Sequence, residues 1–456
     1  MRKTSIIYLT ALFVACQPQY DMVPPESIVP VKQEFEENWY VSEEGLGAKD
    51  GSDWDNALPF NDLLDALTSD ASSFANAGIH LQEGTYTIPT GEESAIQLAC
   101  NVLCIRGGYS KDLESDDLED CDASKYPTVF TGENGFAKVS GVSLLFENIK
   151  FSGFKASVFT IDGDHSTTSV ECHNCIFDGN TSSITANASA GGPCAYIANG
   201  YFKAKNCVFT NNSAVSRGGA IRSNSRTAVV YLDRCYFKGN KLEKEWGLAV
   251  QCSAGVLCAN NCTMIGNTGN GSTLNGGGAF FIANSTIIDD SNPNGANNAA
   301  FRCESKEEAK TTLINNVLSS SKDGGYGIIL NAKGIINSKG YNVIKSVYLG
   351  SGSVDPCIST DLKNNTIIEG QADESSRCWI WDFNQISSSF LEFAVLDDIY
   401  DSAVDFDPSA YCEISLVGRS FATWVTPNAF SVDGRGVERD SDGFIPGSYE
   451  PSNDSE

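Results

Sequence analysis

Short runs in which apolar and polar residues alternate recur along the middle of the chain, each closed by glycine or asparagine. Four are near copies: CIFDGN from Cys175, CVFTNN from Cys207, CYFKGN from Cys235 and CTMIGN from Cys262. In a strand, residues two apart share a face, so Cys207 and Phe209 point one way and Val208 the other. The pairs Cys175 with Phe177, Cys207 with Phe209 and Cys235 with Phe237 are therefore expected inside, with Cys262 heading the fourth copy. Asn180, Asn212 and Asn240 stand three residues after each aromatic, and Asn267 follows Met264 in the same way. Asparagine tolerates a left-handed turn and can bond its amide to the next copy, which predicts an asparagine ladder along one corner.

The cysteines lie 32, 28 and 27 residues apart (175 to 207, 207 to 235, 235 to 262). A second register runs through GGPC at Cys194, GGAI at Ile221, GLAV at Val250, GGAF at Phe280, NAAF at Phe301 and GYGI at Ile328, in steps of 27, 29, 30, 21 and 27 residues. Such a period marks stacked units, none of which buries its apolar face alone. The fold class expected is all-β, a right-handed parallel β-helix with loops of varying length at one corner. Helical solenoids need ten-residue amphipathic stretches, and Gly, Asn, Ser and Thr interrupt this region too often. Open ends expose unpaired edges, so caps are required. Upstream, Trp54, Ala57, Leu58, Leu64 and Leu67 fit one face of a short helix capped by Ser52 or Asp53, a lid within about 50–70. Gly78 to Ile88 then reads as a strand broken by a Gly turn.

The N-terminus adds an address. Arg2 and Lys3 precede an apolar run from Ile6 to Val14, the pattern of a secretory signal peptide too short to span a membrane as a mature helix. The organisation expected is 1–15 signal peptide, 16–37 a polar tether, 38–450 one β-helix domain with an irregular C-terminal cap at about 400–450, and 451–456 a polar tail. Of sixteen cysteines, fifteen remain once Cys16 is set apart, an odd number for an exported protein. Stacked cysteines read as small buried apolar residues, although neighbouring strands come within disulfide range. Cys100 with Cys104 and Cys258 with Cys262, four apart, are open to local pairing. The net charge of −27 and pI near 4.4 exclude nucleic acid and anionic lipid as partners. An acidic face could hold calcium, but no ligand cluster supports it, so no cofactor or metal is expected.

Particular segments resemble known families. Phe13-Val14-Ala15-Cys16 is similar to the lipobox of bacterial lipoproteins, with Phe where Leu is usual, which implies cleavage before Cys16 and lipidation of its thiol. Trp39-Tyr40-Val41-Ser42, then Asp50-Gly51-Ser52-Asp53-Trp54 and Glu83-Gly84-Thr85-Tyr86, resemble the opening of pectin-lyase-like β-helix proteins. Phe209 to Ile221, FTNNSAVSRGGAI, is similar to the repeat of polymorphic outer-membrane proteins. Ser338 to Ile344 and the terminal Asp433 to Glu450 resemble the choice-of-anchor Q family, with Ile445-Pro446-Gly447-Ser448 where that family more often has Asp-Ile-Gly-Ala. That family is defined by fold and anchor and shares no chemistry, so Asp433, Arg435, Arg439 and Tyr449 read first as a structural cap.

β-Helices also host polysaccharide depolymerases, so catalysis has to be sought in residues. Hydrolysis needs paired carboxylates, and Asp289 with Asp290 and Asp162 with Asp164 are the candidates. A lyase needs a basic residue beside a charge clamp, and Arg217, Arg222, Arg226 and Arg234 cluster in sequence. The histidines are His80, His165 and His173; Cys172-His173-Asn174-Cys175 invites a metal reading, yet residues three apart on a strand face opposite sides, which leaves a stacked cysteine beside an exposed histidine. No nucleophile elbow, phosphate loop or dinucleotide fingerprint is present. The expectation is a non-catalytic outer-membrane lipoprotein displaying a β-helix at the cell surface, with a polysaccharide or a surface protein as partner. Tyr196, Tyr201, Tyr231 and Trp246 are the aromatics available to stack on sugars. The alternative is a lyase or hydrolase of acidic glycans; an autotransporter passenger would be expected to carry a C-terminal barrel.

Overall fold

The computed structural model describes most of residues 35–349, apart from short segments within that range, and four short strands between 372 and 420. Cys16, the signal peptide, residues 16–34 of the tether, His165, Cys100 and the C-terminal cap with Asp433, Arg435, Arg439 and Tyr449 lie outside the described residues. The solenoid lies in a unit of residues 35–406 and 430–456. The second unit, residues 1–34 and 407–429, contributes one described hairpin, Ser415–Leu416 against Arg419–Ser420.

Within the solenoid every lap of chain lays one strand on each of three parallel sheets, the arrangement of a right-handed parallel β-helix. The first sheet carries Ala77–Gln82, Leu103–Tyr109, Ser143–Glu147, Ser169–His173, the second half of Ala195–Lys205, Ala228–Asp233, Val256–Asn260 and Ala279–Ala283. The second carries the Cys-x-Phe copies, and its register aligns Tyr86, Phe130, Phe151, Phe177, Phe209, Phe237, Met264, Ile287, Leu318 and Ile344. The rings of Phe177 and Phe209 stack at 4.8 Å and those of Phe209 and Phe237 at 4.4 Å. These rings and Cys175, Cys207, Cys235 and Cys262 belong to one core that runs the length of the stack, while Ile176 between them is exposed. The third sheet takes the inward column Ala137, Phe159, Ala195, Ile221, Val250, Leu274, Phe301, Ile328 and Val347.

That column corrects the second sequence register at two points. Ala195, not Cys194, pairs with Ile221, and Leu274 rather than Phe280 follows Val250. Phe280 belongs to the first sheet, beside Leu257, because residues 274–276 are a separate rung, entered through Gly271-Ser272-Thr273 with Gly271 at φ +117.

Corners are made by left-handed residues. Asn148, Asn174, Asn206, Arg234, Asn261 and Asn284 have φ between 48° and 59° and turn the chain from the first sheet into the second. At the next corner the left-handed positions are Gly179, Asn211, Gly239 and Gly266, one residue before the asparagines expected to adopt it. Asn180, Asn212, Asn240 and Asn267 themselves are fully buried. The first three donate Nδ2 to the next: Asn180 to Asn212 at 3.0 Å, Asn212 to Asn240 at 2.9 Å, Asn240 to Asn267 at 2.8 Å. The same amides reach Phe151, Phe177 and Phe209 carbonyls at 2.9–3.0 Å. A buried amide with every partner in place is a spacer between coils. Farther along, Ser285, Asn316 and Asn342 take over the cysteine column, Asn316 donating to Asn342 at 2.9 Å.

The end of the stack is closed by Phe60–Thr68, the one helix among the described residues, which buries Phe60, Leu63, Leu64 and Leu67 at helical spacing. The Phe60 ring meets Tyr86 at 4.9 Å and Phe130 at 5.3 Å. The helix is shorter than its sequence pattern: Leu58–Pro59 pairs as a strand with Val41–Ser42, and Asp53 caps a turn at Asn56 instead. Trp54 packs in a separate cluster with Tyr40 at 4.9 Å and Tyr109 at 5.3 Å.

Candidate functional site

Inward columns are apolar, so any recognition chemistry has to stand on the outward positions between them. The first sheet turns outward the aligned residues His80, Arg106, Glu147, His173, Lys205, Asp233 and Asn260. They close on one another. Arg106 Nε donates to Glu147 at 2.6 Å, and His173 spans Glu147 at 3.3 Å and Glu171 at 2.6 Å, while Lys203 meets Glu171 at 2.7 Å. Burial works against both carboxylate charges, but the hydrogen bonds from His173 and the nearby cations outweigh it and hold Glu147 and Glu171 at about 2. Burial likewise opposes the charge on His173, and the two carboxylates reverse it, raising its pKa. An imidazolium committed through both nitrogens has no lone pair for a metal or a proton. His173 is thus half-buried and clamped rather than exposed. Cys172 and Cys175 both face inward, because the left-handed Asn174 between them resets the alternation.

The third sheet is different. Its outward column, in register, is Thr160, Tyr196, Arg222, Gln251, Asn275, Arg302. Gly218 leads into it with φ +69, where an added Cβ would stand 2.4 Å from the Ile221 carbonyl, so the turn admits no side chain. From Tyr196 to Arg302 all five are buried. The Arg222 guanidinium lies 5.5 Å from the Tyr196 ring centre and donates to Asn224 at 3.2 Å. That of Arg302 lies 4.1 Å over Trp246 and pairs with Glu304 at 2.7 Å. Burial draws the Arg302 pKa down, against the pull of Glu304. Between the arginines, Gln251 Oε1 and both Oδ1 and Nδ2 of Asn275 are buried without a hydrogen-bond partner. An unsatisfied buried group costs about 1–3 kcal/mol, so these amides mark the site.

The sequence candidates scatter over this framework. Arg222 alone of its quartet is on the third sheet; Arg217 is in the preceding turn, Arg226 is exposed in the following one, and Arg234 pairs with Asp233 at 3.3 Å on the corner into the second sheet. Asp289 is buried and accepts from Ser320 at 3.2 Å, whereas Asp290 accepts from the Gly266 amide at 2.6 Å, so the two cap different turns. Asp162 and Asp164 are exposed, and Asp162 accepts from Asn199 at 2.7 Å. Tyr196 and Tyr231 are buried and Tyr201 partly so, and none of the three is an open platform. Cys262 donates its thiol to the Leu232 and Asn260 carbonyls at 3.7 and 3.3 Å, and Cys104 to Glu147 at 3.7 Å, so neither is in the local disulfide its spacing suggested. No metal-ligating cluster exists among the described residues. Gln251 and Arg302 are not among the sequence candidates, although each directly follows the apolar residue of a small-residue step, as Arg222 does. Asn275 likewise follows Leu274, after the step Gly271-Ser272-Thr273.

No family model matches the chain, and no curated protein matches it either. Among solved structures, the chain is similar to the crystal structure of a pectate lyase, at 13% identity and a TM-score of 0.35, over 92% of this chain and 97% of that one. The strand register itself defines the class, a parallel β-helix; the outer column of the third sheet is its candidate site.

Proposed function

We propose that the protein is an exported lipoprotein that presents a β-helix at the outer-membrane surface and binds glycan through the outward column of the third sheet, without catalysis. The observation that carries this reading is the joining, on consecutive rungs, of two arginines over aromatic rings with two amides that have no partner. Aromatic faces and planar amides are the groups that recognise sugar rings and hydroxyls. Glu147, Glu171, Asp289 and Asp290 are spent on cations, hydroxyls or turn amides, which leaves no acid and base pair among them. Supporting the address are the signal-like N-terminus and lipobox at Cys16, with the choice-of-anchor Q resemblance of the C-terminal motif. The charge of −27 argues against nucleic acid and leaves the lipid as the membrane contact.

The test is a screen of the mature chain against immobilised neutral and acidic polysaccharides, recording retention together with new unsaturated or reducing ends. Retention without product is expected. Product formation would make the chain a lyase or hydrolase, and absence of both would turn the search to a surface protein.

A further inference from the structure

The amides of Gln251 and Asn275 say more about the ligand, if the glycan-binding reading on which this rests is right. Gln251 Oε1 and Asn275 Oδ1 are acceptors that need donors, and Asn275 Nδ2 is a donor that needs an acceptor. A hydroxyl supplies both within one group. A carboxylate only accepts; it could serve Nδ2 alone, and would set its charge against two amide oxygens. The two side chains stand on adjacent rungs, about 4.8 Å apart, a separation that hydroxyls of one sugar ring can bridge. The two flanking guanidiniums already have partners, Arg222 donating to Asn224 at 3.2 Å and Arg302 pairing with Glu304 at 2.7 Å. At longer range the net charge of −27 repels polyanions.

One contact lies across this column. Trp246 belongs to the coil that carries Gln251, and Arg302 lies two coils on, so the Arg302 guanidinium over the Trp246 ring at 4.1 Å bridges the rung of Asn275 between them. The indole face that a sugar would stack on is covered by that guanidinium. We infer that Gln251 and Asn275 form a subsite for a neutral, hydroxyl-bearing sugar unit, closed by the Trp246–Arg302 stack, with the sugar replacing the guanidinium on the indole when it binds. The subsite selects neutral glycan over polyuronate, and the stack parts on binding.

Affinity chromatography of the mature chain on dextran, galactomannan and arabinoxylan, against polygalacturonate and alginate, tests this with Asn275→Leu and Trp246→Ala. The wild type is expected to be retained on at least one neutral glycan. Asn275→Leu should lower that retention tenfold or more while melting at the same temperature or higher, because it removes unpaired polar atoms and keeps the same branched set of four side-chain heavy atoms. Trp246→Ala should also weaken retention, and binding of the matching oligosaccharide should change the Trp fluorescence of the wild type but not of this variant. A lower melting temperature for Asn275→Leu would show that the amide is satisfied in the native protein and overturn the subsite. Unchanged retention of that variant would overturn it too. Retention of the wild type on the uronates alone would overturn the neutral preference and leave glycan binding standing, whereas retention on no glycan would remove both.

Discussion

Phe209 shows what one side chain contributes. It is fully buried between the rings of Phe177 and Phe237, and truncation to alanine is expected to cost about 3–5 kcal/mol in a denaturant titration. Phe209→Asp should not fold, since the new charge would have no partner; an unchanged melt would place residue 209 outside the core. His173 and its two glutamates respond to pH in opposite senses. Glu147 and Glu171 sit at about 2 against an ordinary 4.5, so their stabilisation is complete above that ordinary value and fades as pH falls toward 2. The pKa of His173 is raised above 6.5, so its contribution is complete below 6.5 and fades as pH rises through the folded value. Glu171→Gln should lower the His173 pKa in an NMR titration, and an unmoved titration would mean the clamp is not formed in solution. The inward residues were legible because Cys-x-Phe recurs with strand alternation. His173 was not, because its environment comes from Glu147 and Glu171, and only the register between coils brings Glu147 alongside.

Between residue and molecule stands the corner ladder. Asn212 donates its amide to Asn240 and to the Phe177 carbonyl, while its oxygen receives the backbone amide and the Nδ2 of Asn180. Asn212→Leu therefore strands partners on two neighbouring coils. At about 1–3 kcal/mol for each orphaned group, a loss of roughly 3 kcal/mol or more is expected, with faster hydrogen exchange at the Asn180 amide. The capping helix teaches the limit of periodicity. Leu58 continues the apolar pattern of Phe60–Thr68, yet it is claimed by a strand from nearly twenty residues upstream, a pairing no local pattern encodes. Leu274 was hidden in the same way: its rung is set by Val250 on one side and Phe301 on the other. The outer column was legible only in part, since Tyr196, Arg222 and Trp246 were singled out for unrelated reasons and Gln251, Asn275 and Arg302 not at all.

At the scale of the molecule, the thiols of Cys175, Cys207, Cys235 and Cys262 form a column in the core without joining in disulfides. Burial pushes their pKa values well above the ordinary thiol, and the thiolate is the reactive form. They are expected to be silent to a thiol reagent in the native protein and to react on unfolding; rapid reaction of these four in the native state would mean the core opens. Each lap also repeats its joints. Asn206 and Arg234, at φ 53° and 52°, both turn directly into a core cysteine, and from Cys207 and Cys235 alike the chain runs on through an inward aromatic and a left-handed residue to a ladder asparagine. A chain with residues 207–234 excised would join Asn206 to Cys235, and Phe177 would meet Phe237 where it met Phe209. The laps that begin at Cys207 and Cys235 thus share their joints, and a chain shortened by this one turn is expected to fold with its remaining coils in the same register.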